Sequence, residues 1–224
     1  MGHPISDIRE EFDRIDLHSN DGWDHNSHYH KWLLNRLPSS CSNALDIGCG
    51  SGSFSRLLAE RSERVVALDL SPNMIGTAKE RSTNHSNMDF QVADVLKWEF
   101  PAEHFDCVVS IATLHHLPLE EMLIRMRDTL RPGGMLLILD LFEGEGPIDI
   151  FLSAFAMPLS FALRLIRCGR LRQDKKAREA WAEHARNDSF PTLSSVRRAC
   201  EKILPGARVR KHLLWRYSIV WRKP

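Results

Sequence analysis

The chain has 224 residues, of which 43% are hydrophobic and 26% charged. This length and composition suit one globular domain with a sizeable core and exclude a disordered or fibrous chain. No apolar stretch follows Met1-Gly2-His3-Pro4, so we expect no signal peptide and a cytoplasmic protein. The five cysteines (41, 49, 107, 168 and 200) form no Cys-x-x-Cys pair, which argues against a disulfide framework or a metal site.

The formal net charge of +1 conceals a strong asymmetry along the chain. Residues 1–160 carry 24 acidic and 13 basic side chains, whereas residues 161–224 carry 5 and 17. A basic C-terminal part can form a surface for anionic partners such as lipid headgroups, an acidic protein or nucleic acid. Alternatively, its Arg and Lys side chains lie on solvated helix faces and pair with the acidic part.

Residues 1–40 are predicted to form a helical cap. Apolar side chains recur at helical spacing within residues 6–37, which predicts one or two helices there. They are Ile8, Phe12, Ile15, Trp32, Leu33, Leu34 and Leu37. A polar, histidine-rich stretch from Ser19 to His30 separates the two apolar groups, and Pro38-Ser39-Ser40 closes the cap.

The first strand and the turn after it are the most informative part of the chain. Ala44-Leu45-Asp46-Ile47 is apolar and runs into Gly48-Cys49-Gly50-Ser51-Gly52, which is followed by a helix-like run. Glycines permit a tight turn and a close ligand, and the helix start offers free N–H groups. A second strand ends at Asp69, 21 residues after Gly48, the spacing that sets a carboxylate against a ribose. The pattern predicts a pocket for a nucleoside with an anionic tail.

Helices and strands then alternate to about residue 142, which predicts a right-handed parallel sheet. Ser71 and Pro72 suit the cap and first turn of the helix after the second strand. Three later segments end in polar groups: a strand ending at Asp94, a buried strand 105–111 leading to His115 and His116, and a strand 135–140. The helix 119–130 before the last of these is predicted to end in the Pro-Gly-Gly turn at 132–134.

Residues 143–190 form an insert with a run of 14 uncharged residues, 150–163. The run is too short for a membrane span, and Pro158 is expected to break or kink it. Three interpretations stay open: a helical lid over an apolar acceptor, packing on the core or a second subunit, or contact with a membrane aided by the basic residues behind it. Residues 173–187 are predicted to form a polar, exposed helix.

The C-terminal part is predicted to hold one helix and a closing hairpin. The helix spans 192–204 and stops at Pro205-Gly206, and the hairpin strands are 207–214 and 216–222. Aromatic and basic residues alternate from His212 to Arg222, but strand alternation accounts for them. We therefore do not expect a nucleic-acid partner.

The spacing Gly48-x-Gly50-x-Gly52 differs from the dinucleotide fingerprint Gly-x-Gly-x-x-Gly. With the later segments in the same order, the chain resembles the class I S-adenosylmethionine (SAM) dependent methyltransferases that modify small molecules, closely over residues 40–142. The resemblance implies a Rossmann-like α/β fold, with a mostly parallel seven-stranded sheet and an antiparallel last strand. Its single domain would comprise the cap (1–40), the SAM-binding core (41–142), the helical insert (143–190) and the C-terminal helix and hairpin (191–224).

The implied reaction transfers the methyl group of SAM to an apolar or amphipathic small molecule, with oxygen favoured as acceptor, and releases S-adenosylhomocysteine. One alternative is a methyltransferase for a quinone-like or lipid-linked substrate at a membrane surface, touching the membrane through residues 148–176. Another is a SAM sensor or scaffold without turnover. The sequence is compatible with a monomer or a homodimer.

The resemblance also implies a set of cofactor-binding residues. Gly48, Cys49 and Gly50 would lie along the methionine portion, and Asp46 would orient the turn or meet the amino group. Asp69 would accept hydrogen bonds from the ribose hydroxyls, and Asp94 would accept one from the adenine amino group. The remaining contacts are Leu70 and Met74 on the adenine faces, Val95 at the ring, Tyr29 from the cap, and Ser110 and Ile111 along the methyl-transfer channel.

Three histidines are candidates for a base that would deprotonate an acceptor hydroxyl. His115 and His116 lie in the loop where the acceptor of the family meets the methyl group, and His28 lies in the cap. One histidine of the Leu-His-His-Leu run is equally compatible with a packed, hydrogen-bonded role.

Overall fold

The computed structural model describes residues 24–144, 146–168 and 190–224. The predicted helical residues Ile8, Phe12 and Ile15 and the predicted helix at 173–187 lie outside the described residues. The strands are β1 (Cys41–Ile47), β2 (Ser62–Asp69), β3 (Met88–Val92), β4 (Phe105–Ile111), β5 (Leu130–Leu141), β6 (Arg208–Lys211) and β7 (Arg216–Arg222). The α-helices are α1 (His30–Leu34), α2 (Ser53–Ala59), α3 (Pro72–Arg81), α4 (Leu119–Thr129), α5 (Pro147–Cys168) and α6 (Leu193–Ile203), with short 3-10 helices at Ser27–Tyr29 and Leu114–His116.

The described strands form one seven-stranded sheet in the order β3-β2-β1-β4-β5-β7-β6. Strands β1 to β5 are parallel, and β7 lies antiparallel between β5 and β6. The predicted Rossmann-like sheet with an antiparallel end is confirmed. Because the strand order reverses between β1 and β4, their carboxyl ends open a crevice at this point of the sheet.

Alternate residues of the central strands feed two apolar layers. On one face Leu45, Val108 and Ile138 pack with the buried side chains of α4 and α6. On the other face Val109 and Leu139 join a cluster contributed by α1 and α2, while α3 packs on Ala67 and Phe90 in a smaller cluster. Both faces of the parallel sheet are covered, so its strands are fixed and their carboxyl ends can carry a precise site.

Two local predictions were wrong. The Pro-Gly-Gly segment was expected as a turn before the fifth strand, but α4 ends at Thr129 and β5 begins at Leu130. The two glycines lie within β5, where the pairing with β4 shifts register and Gly133 has a φ of 78°. Gly133 N–H donates to Lys223 O and Lys223 N–H donates to Gly134 O, so the segment is a bulge paired to the chain end.

The second concerns Pro158, which was expected to break or kink its segment: it does not break it, because α5 continues from Pro147 to Cys168. A proline removes one backbone donor from a helix, and the loss is tolerated best where water can reach the freed carbonyl. Pro158 lies on an exposed side of α5. The first predicted hairpin strand also shortens to β6, because Leu214 and Trp215 both adopt positive φ angles (59° and 57°) and form the turn.

Candidate functional site

The glycine turn is held in place by its own backbone. The N–H groups of Gly48 and Cys49 both donate to Leu68 O, at 2.8 and 2.9 Å. Gly48, Gly50 and Gly52 have φ angles of 73°, 52° and 75°, which side chains rarely adopt. A Cβ on Gly48 would lie 2.0 Å from Thr113 Oγ1, whereas a Cβ on Gly50 would meet no atom within 4 Å. Gly48 is therefore required by packing, whereas the space next to Gly50 is open.

Asp69 connects this turn to the end of β2. Its Oδ2 accepts the Gly50 N–H at 2.8 Å, and its Oδ1 accepts the Ser71 N–H at 2.9 Å. Ser71 is the N-cap of α3 and accepts the Met74 N–H through its side chain, as predicted from Ser71-Pro72. Leu70 is half-buried and Met74 is 7% exposed. The carboxylate, the turn and the start of α3 thus surround one side of the crevice.

Asp94 presents a polar atom that the described part of the protein leaves unsatisfied. Its Oδ1 accepts the Leu96 N–H at 3.0 Å. Its buried Oδ2 accepts no hydrogen bond from the described residues, although the ammonium of the exposed Lys97 lies 3.4 Å away. A buried acceptor without a donor is unfavourable, so this oxygen suits an N–H group brought by a ligand. The neighbouring Val95 is buried.

Asp46 lies beneath the turn and is 2% exposed. Ser55 Oγ donates to its Oδ2 at 2.6 Å. Burial raises the pKa of Asp46 to about 7, the Ser55 hydrogen bond opposes this rise, and the nearby Asp69 charge adds to it. Burial likewise raises the pKa of Cys49 well above its usual value, so that the thiol stays protonated. Asp46 is the acidic group of the crevice that titrates near neutral pH.

At the end of β4, Ser110 and Ile111 occupy different environments. Ser110 is fully buried and donates its hydroxyl to Ile47 O at 3.1 Å, so its side chain ties β4 to β1. Ile111 is half-buried at the strand end. Ala112 follows with a φ of 52°, and Thr113 donates to Ile111 O at 3.1 Å. This irregular backbone ends β4 beside Gly48.

His115 is hydrogen-bonded to Asp140, an acid that the sequence analysis did not assign to the site. His115 Nδ1 lies 2.6 Å from Asp140 Oδ1, and the backbone N–H of His115 donates to Asp140 Oδ2 at 2.9 Å. Asp140 is fully buried near the end of β5 and also accepts the Leu141 N–H. The sequence held a signal for this contact. Asp140 comes near the end of an apolar strand, and the loop that follows the neighbouring parallel strand β4 lies at the same edge of the sheet.

The two other candidate bases are placed differently. The His116 ring lies 3.9 Å from the His115 ring, on the same 3-10 helix. His28 is exposed in the cap, where partial burial and the charge of Arg167 lower its pKa. Arg167 belongs to α5, so the cap and the insert approach each other around His28.

Tyr29 is buried, and its hydroxyl makes a hydrogen bond within the fold. It donates to Leu213 O at 2.6 Å, and burial raises its pKa to about 12. The buried Arg216 donates through Nε to Asn26 Oδ1 and through its guanidinium to Leu214 O. These bonds fasten the cap to the β6–β7 turn. Arg216 was also missed, since a charge within an apolar closing strand gives no site signal in one sequence.

No group of three or more potential metal ligands occurs among the described residues. Within the same ranges, no helix has the length and apolar character needed to cross a membrane.

The parallel sheet, the glycine turn and the acids that end successive strands define a nucleoside-binding α/β enzyme fold. A sequence model described as "Methyltransferase domain" matches residues 44–134. An uncharacterised methyltransferase of Mycobacterium tuberculosis is 29% identical over 206 residues, covering 90% of this chain and 98% of the relative. The trans-aconitate 2-methyltransferase of Streptomyces avermitilis is 38% identical over 106 residues, covering 45% of this chain and 39% of that protein.

Among solved structures, the N-methyltransferase NodS of Bradyrhizobium japonicum, in complex with S-adenosylhomocysteine, has the same fold. Its TM-score is 0.64 at 21% identity, covering 96% of this chain and 98% of the other. The chain thus carries a methyltransferase domain over residues 44–134 and is similar to SAM-dependent methyltransferases over most of its length.

Replacing Gly48 by alanine tests the packing of the turn. The added methyl group collides with Thr113 and the positive φ is strained, so we expect Gly48→Ala to lower the free energy of unfolding by about 2–4 kcal/mol in urea denaturation. Gly76→Ala is the control, because a Cβ in the middle of α3 meets nothing within 4 Å and should stabilise by about 0.5–1 kcal/mol. Equal effects of the two changes would contradict the packing argument.

The raised pKa of Asp46 predicts a pH-dependent stability. The folded protein holds a proton on Asp46 up to about pH 7, whereas the unfolded chain releases it near pH 4, so this group's contribution to stability is lost as pH rises through that window. Between about pH 5 and 8 the free energy of unfolding of the wild type should fall by about 2 kcal/mol more than that of Asp46→Asn. Urea denaturation at both pH values measures it, and parallel curves would refute the titration of Asp46.

Proposed function

We propose that this enzyme methylates a hydroxyl group of an apolar or amphipathic small molecule, with His115 as the base. The observation that carries the proposal is the buried His115–Asp140 pair, which lies at the carboxyl edge of the sheet next to the end of β4. Its support comes from three features: the fit of the crevice to SAM, the chemistry of the pair, and the segment that covers it.

The crevice fits the cofactor of the family on its own features. The unsatisfied Asp94 Oδ2 suits the adenine amino group, and Asp69 stands where the ribose hydroxyls would be accepted. The open space at Gly50 suits the methionine portion, and a bound ammonium group would favour the ionised form of Asp46. Val95, Leu70 and Met74 supply apolar surface for the ring.

SAM supplies a sulfonium methyl group, so the protein needs mainly to hold a nucleophile close, in line and away from water. In the transfer to a hydroxyl, the new C–O bond forms as the C–S bond breaks, and the hydroxyl proton must be removed. A carboxylate only accepts hydrogen bonds, so pairing with Asp140 favours the tautomer of His115 that carries its proton on Nδ1 and its basic lone pair on Nε2. The ring orientation is fixed by the same bonds, as a general base requires.

The burial of the His115–Asp140 pair supports an apolar acceptor. The His115 side chain is 3% exposed, and the Phe190 ring lies 5.2 Å from its ring. Glu143 N–H donates to Pro191 O, so the segment between residues 143 and 192 leaves β5 and returns beside Asp140. An acceptor that reaches His115 would therefore lie against Phe190, where apolar groups gain most from leaving water.

Asp94→Asn tests the cofactor assignment. Asparagine keeps an oxygen for the Leu96 N–H but places an NH₂ group where Oδ2 was, so it opposes the adenine amino group. We expect SAM affinity in calorimetric titration to fall at least about tenfold, the loss of one charge-assisted hydrogen bond. Asp89→Asn is the control, because Asp89 lies on β3, the edge strand that precedes Asp94, and its side chain is partly exposed. Unchanged SAM binding by Asp94→Asn would remove the adenine assignment.

His115→Gln tests the base. A panel of hydroxylated aromatic and aliphatic compounds is first screened with methyl-labelled SAM, and kcat is then compared on the best acceptor. We expect His115→Gln to lower kcat by about 10²–10⁴-fold while SAM binding stays within about twofold. His104→Gln, at an exposed histidine before β4, should change neither value. An unchanged kcat in His115→Gln would assign this histidine to packing, and methylation only of amines would refute the hydroxyl acceptor.

A further inference from the structure

Over residues 156–167, where the side chains of helix α5 other than residue 164 are described, most large apolar side chains are turned away from the protein. The described stretch meets the rest of the chain at Ala156, which is 3% exposed, at the half-buried Leu163, and at Ser160, whose Oγ lies 2.7 Å from His25 Nε2 of the cap. Five large apolar side chains of this stretch are exposed: Met157 56%, Leu159 38%, Phe161 49%, Leu165 47% and Ile166 76%. A surface helix normally shows the opposite arrangement, with its apolar stripe against the core.

The width of this exposed surface limits what can cover it. At about 100° per residue, Met157, Phe161 and Leu165 lie along one side of the helix, and Leu159 and Ile166 lie more than a quarter turn further round. With Ala162 between them, the apolar positions span about 200° of the circumference, whereas one partner helix covers a stripe of about 100°. A lipid surface covers the wider arc, because a helix lying in the headgroup region buries its whole outer side.

Charge specifies the kind of lipid. Arg167 is exposed in the last turn of α5, and the sequence that follows carries Arg170, Arg172, Lys175, Lys176 and Arg178 against one acid, Asp174. A cluster of basic residues directly after an apolar helix is attracted to anionic headgroups within a Debye length. Since no described helix could cross a membrane, the contact is peripheral.

We propose that the exposed apolar side of α5, from Met157 to Ile166, binds the surface of an anionic lipid bilayer at the headgroup level, attracted by Arg167 and by the basic residues that follow it in the sequence. This contact goes beyond the methyl transfer and does not depend on it.

Vesicle sedimentation tests the proposal with the full chain. Wild-type protein should sediment with phosphatidylcholine vesicles that contain phosphatidylglycerol, bind pure phosphatidylcholine at least about tenfold more weakly, and be released as salt rises from about 0.1 to 0.5 M. The variant Phe161→Ser/Leu165→Ser/Ile166→Ser should lose at least about tenfold in binding. Ile124→Ser, at an exposed apolar residue of α4 (40% exposed), is the matched control and should bind as the wild type.

The basic run is tested by Lys175→Glu/Lys176→Glu, for which Arg208→Glu/Arg210→Glu on the exposed positions of β6 is the control for charge reversal. Binding should fall only in the first pair. SAM titration of every variant confirms an intact crevice, so a failure of vesicle binding is distinguished from a failure of the proposed reaction. The proposal is overturned if the wild type does not bind anionic vesicles, or if the serine variant binds them as strongly as the wild type. So does a dimer in light scattering that the serine variant abolishes without any vesicle binding, because a second copy would then cover α5.

Discussion

The pair of hydrogen bonds that Asp69 accepts is the constraint on which the rest of the crevice depends. The carboxylate takes one N–H from the glycine turn and one from the N-terminal cap residue of α3, and it thereby fixes two backbone segments that come from different βα units. A carboxylate that accepts backbone N–H groups is held in one orientation at modest cost. The turn cannot relax into the open space at Gly50 while this bond persists, so the space stays available for a ligand.

Two acids of this sheet edge are buried, and the protein treats them in opposite ways. Asp46 has one hydroxyl donor and a second carboxylate nearby, and its pKa rises to about 7. Asp140 accepts two backbone N–H groups, bonds to the His115 ring, and lies near the buried guanidinium of Arg216. Asp46 thus has few donors for its buried oxygens, whereas both oxygens of Asp140 accept hydrogen bonds that hold the His115 ring in one orientation.

Local rules were sufficient to predict the sheet, the turn after β1, the cap at Ser71, Asp69 at the end of β2 and Asp94 just after β3, because each has a pattern within a few residues. The Pro-Gly-Gly bulge was not predictable, since its glycines pair with Lys223 at the far end of the chain. The same holds for the partner of His115, which depends on the alignment of β4 with β5, and for the Arg216–Asn26 bond. Side-chain roles such as that of Ser110 also required the structure, because a strand-end serine has the same sequence signal whether its hydroxyl faces a ligand or a neighbouring strand.

The insert connects the crevice to the exterior through its two ends. It departs after Asp140 and returns at Pro191 and Phe190, the residue whose ring covers His115, so both ends are fixed beside the pair. Its middle carries apolar side chains that are exposed to solvent in the isolated chain. Apolar side chains stabilise a fold by being buried, so the exposed part of these side chains contributes little to stability. The insert therefore carries both the ring that covers His115 and, along the described part of α5, the exposed apolar side chains. An apolar acceptor dissolved in a bilayer would meet the enzyme at this segment first, which makes a lipid-facing insert and an apolar acceptor mutually consistent.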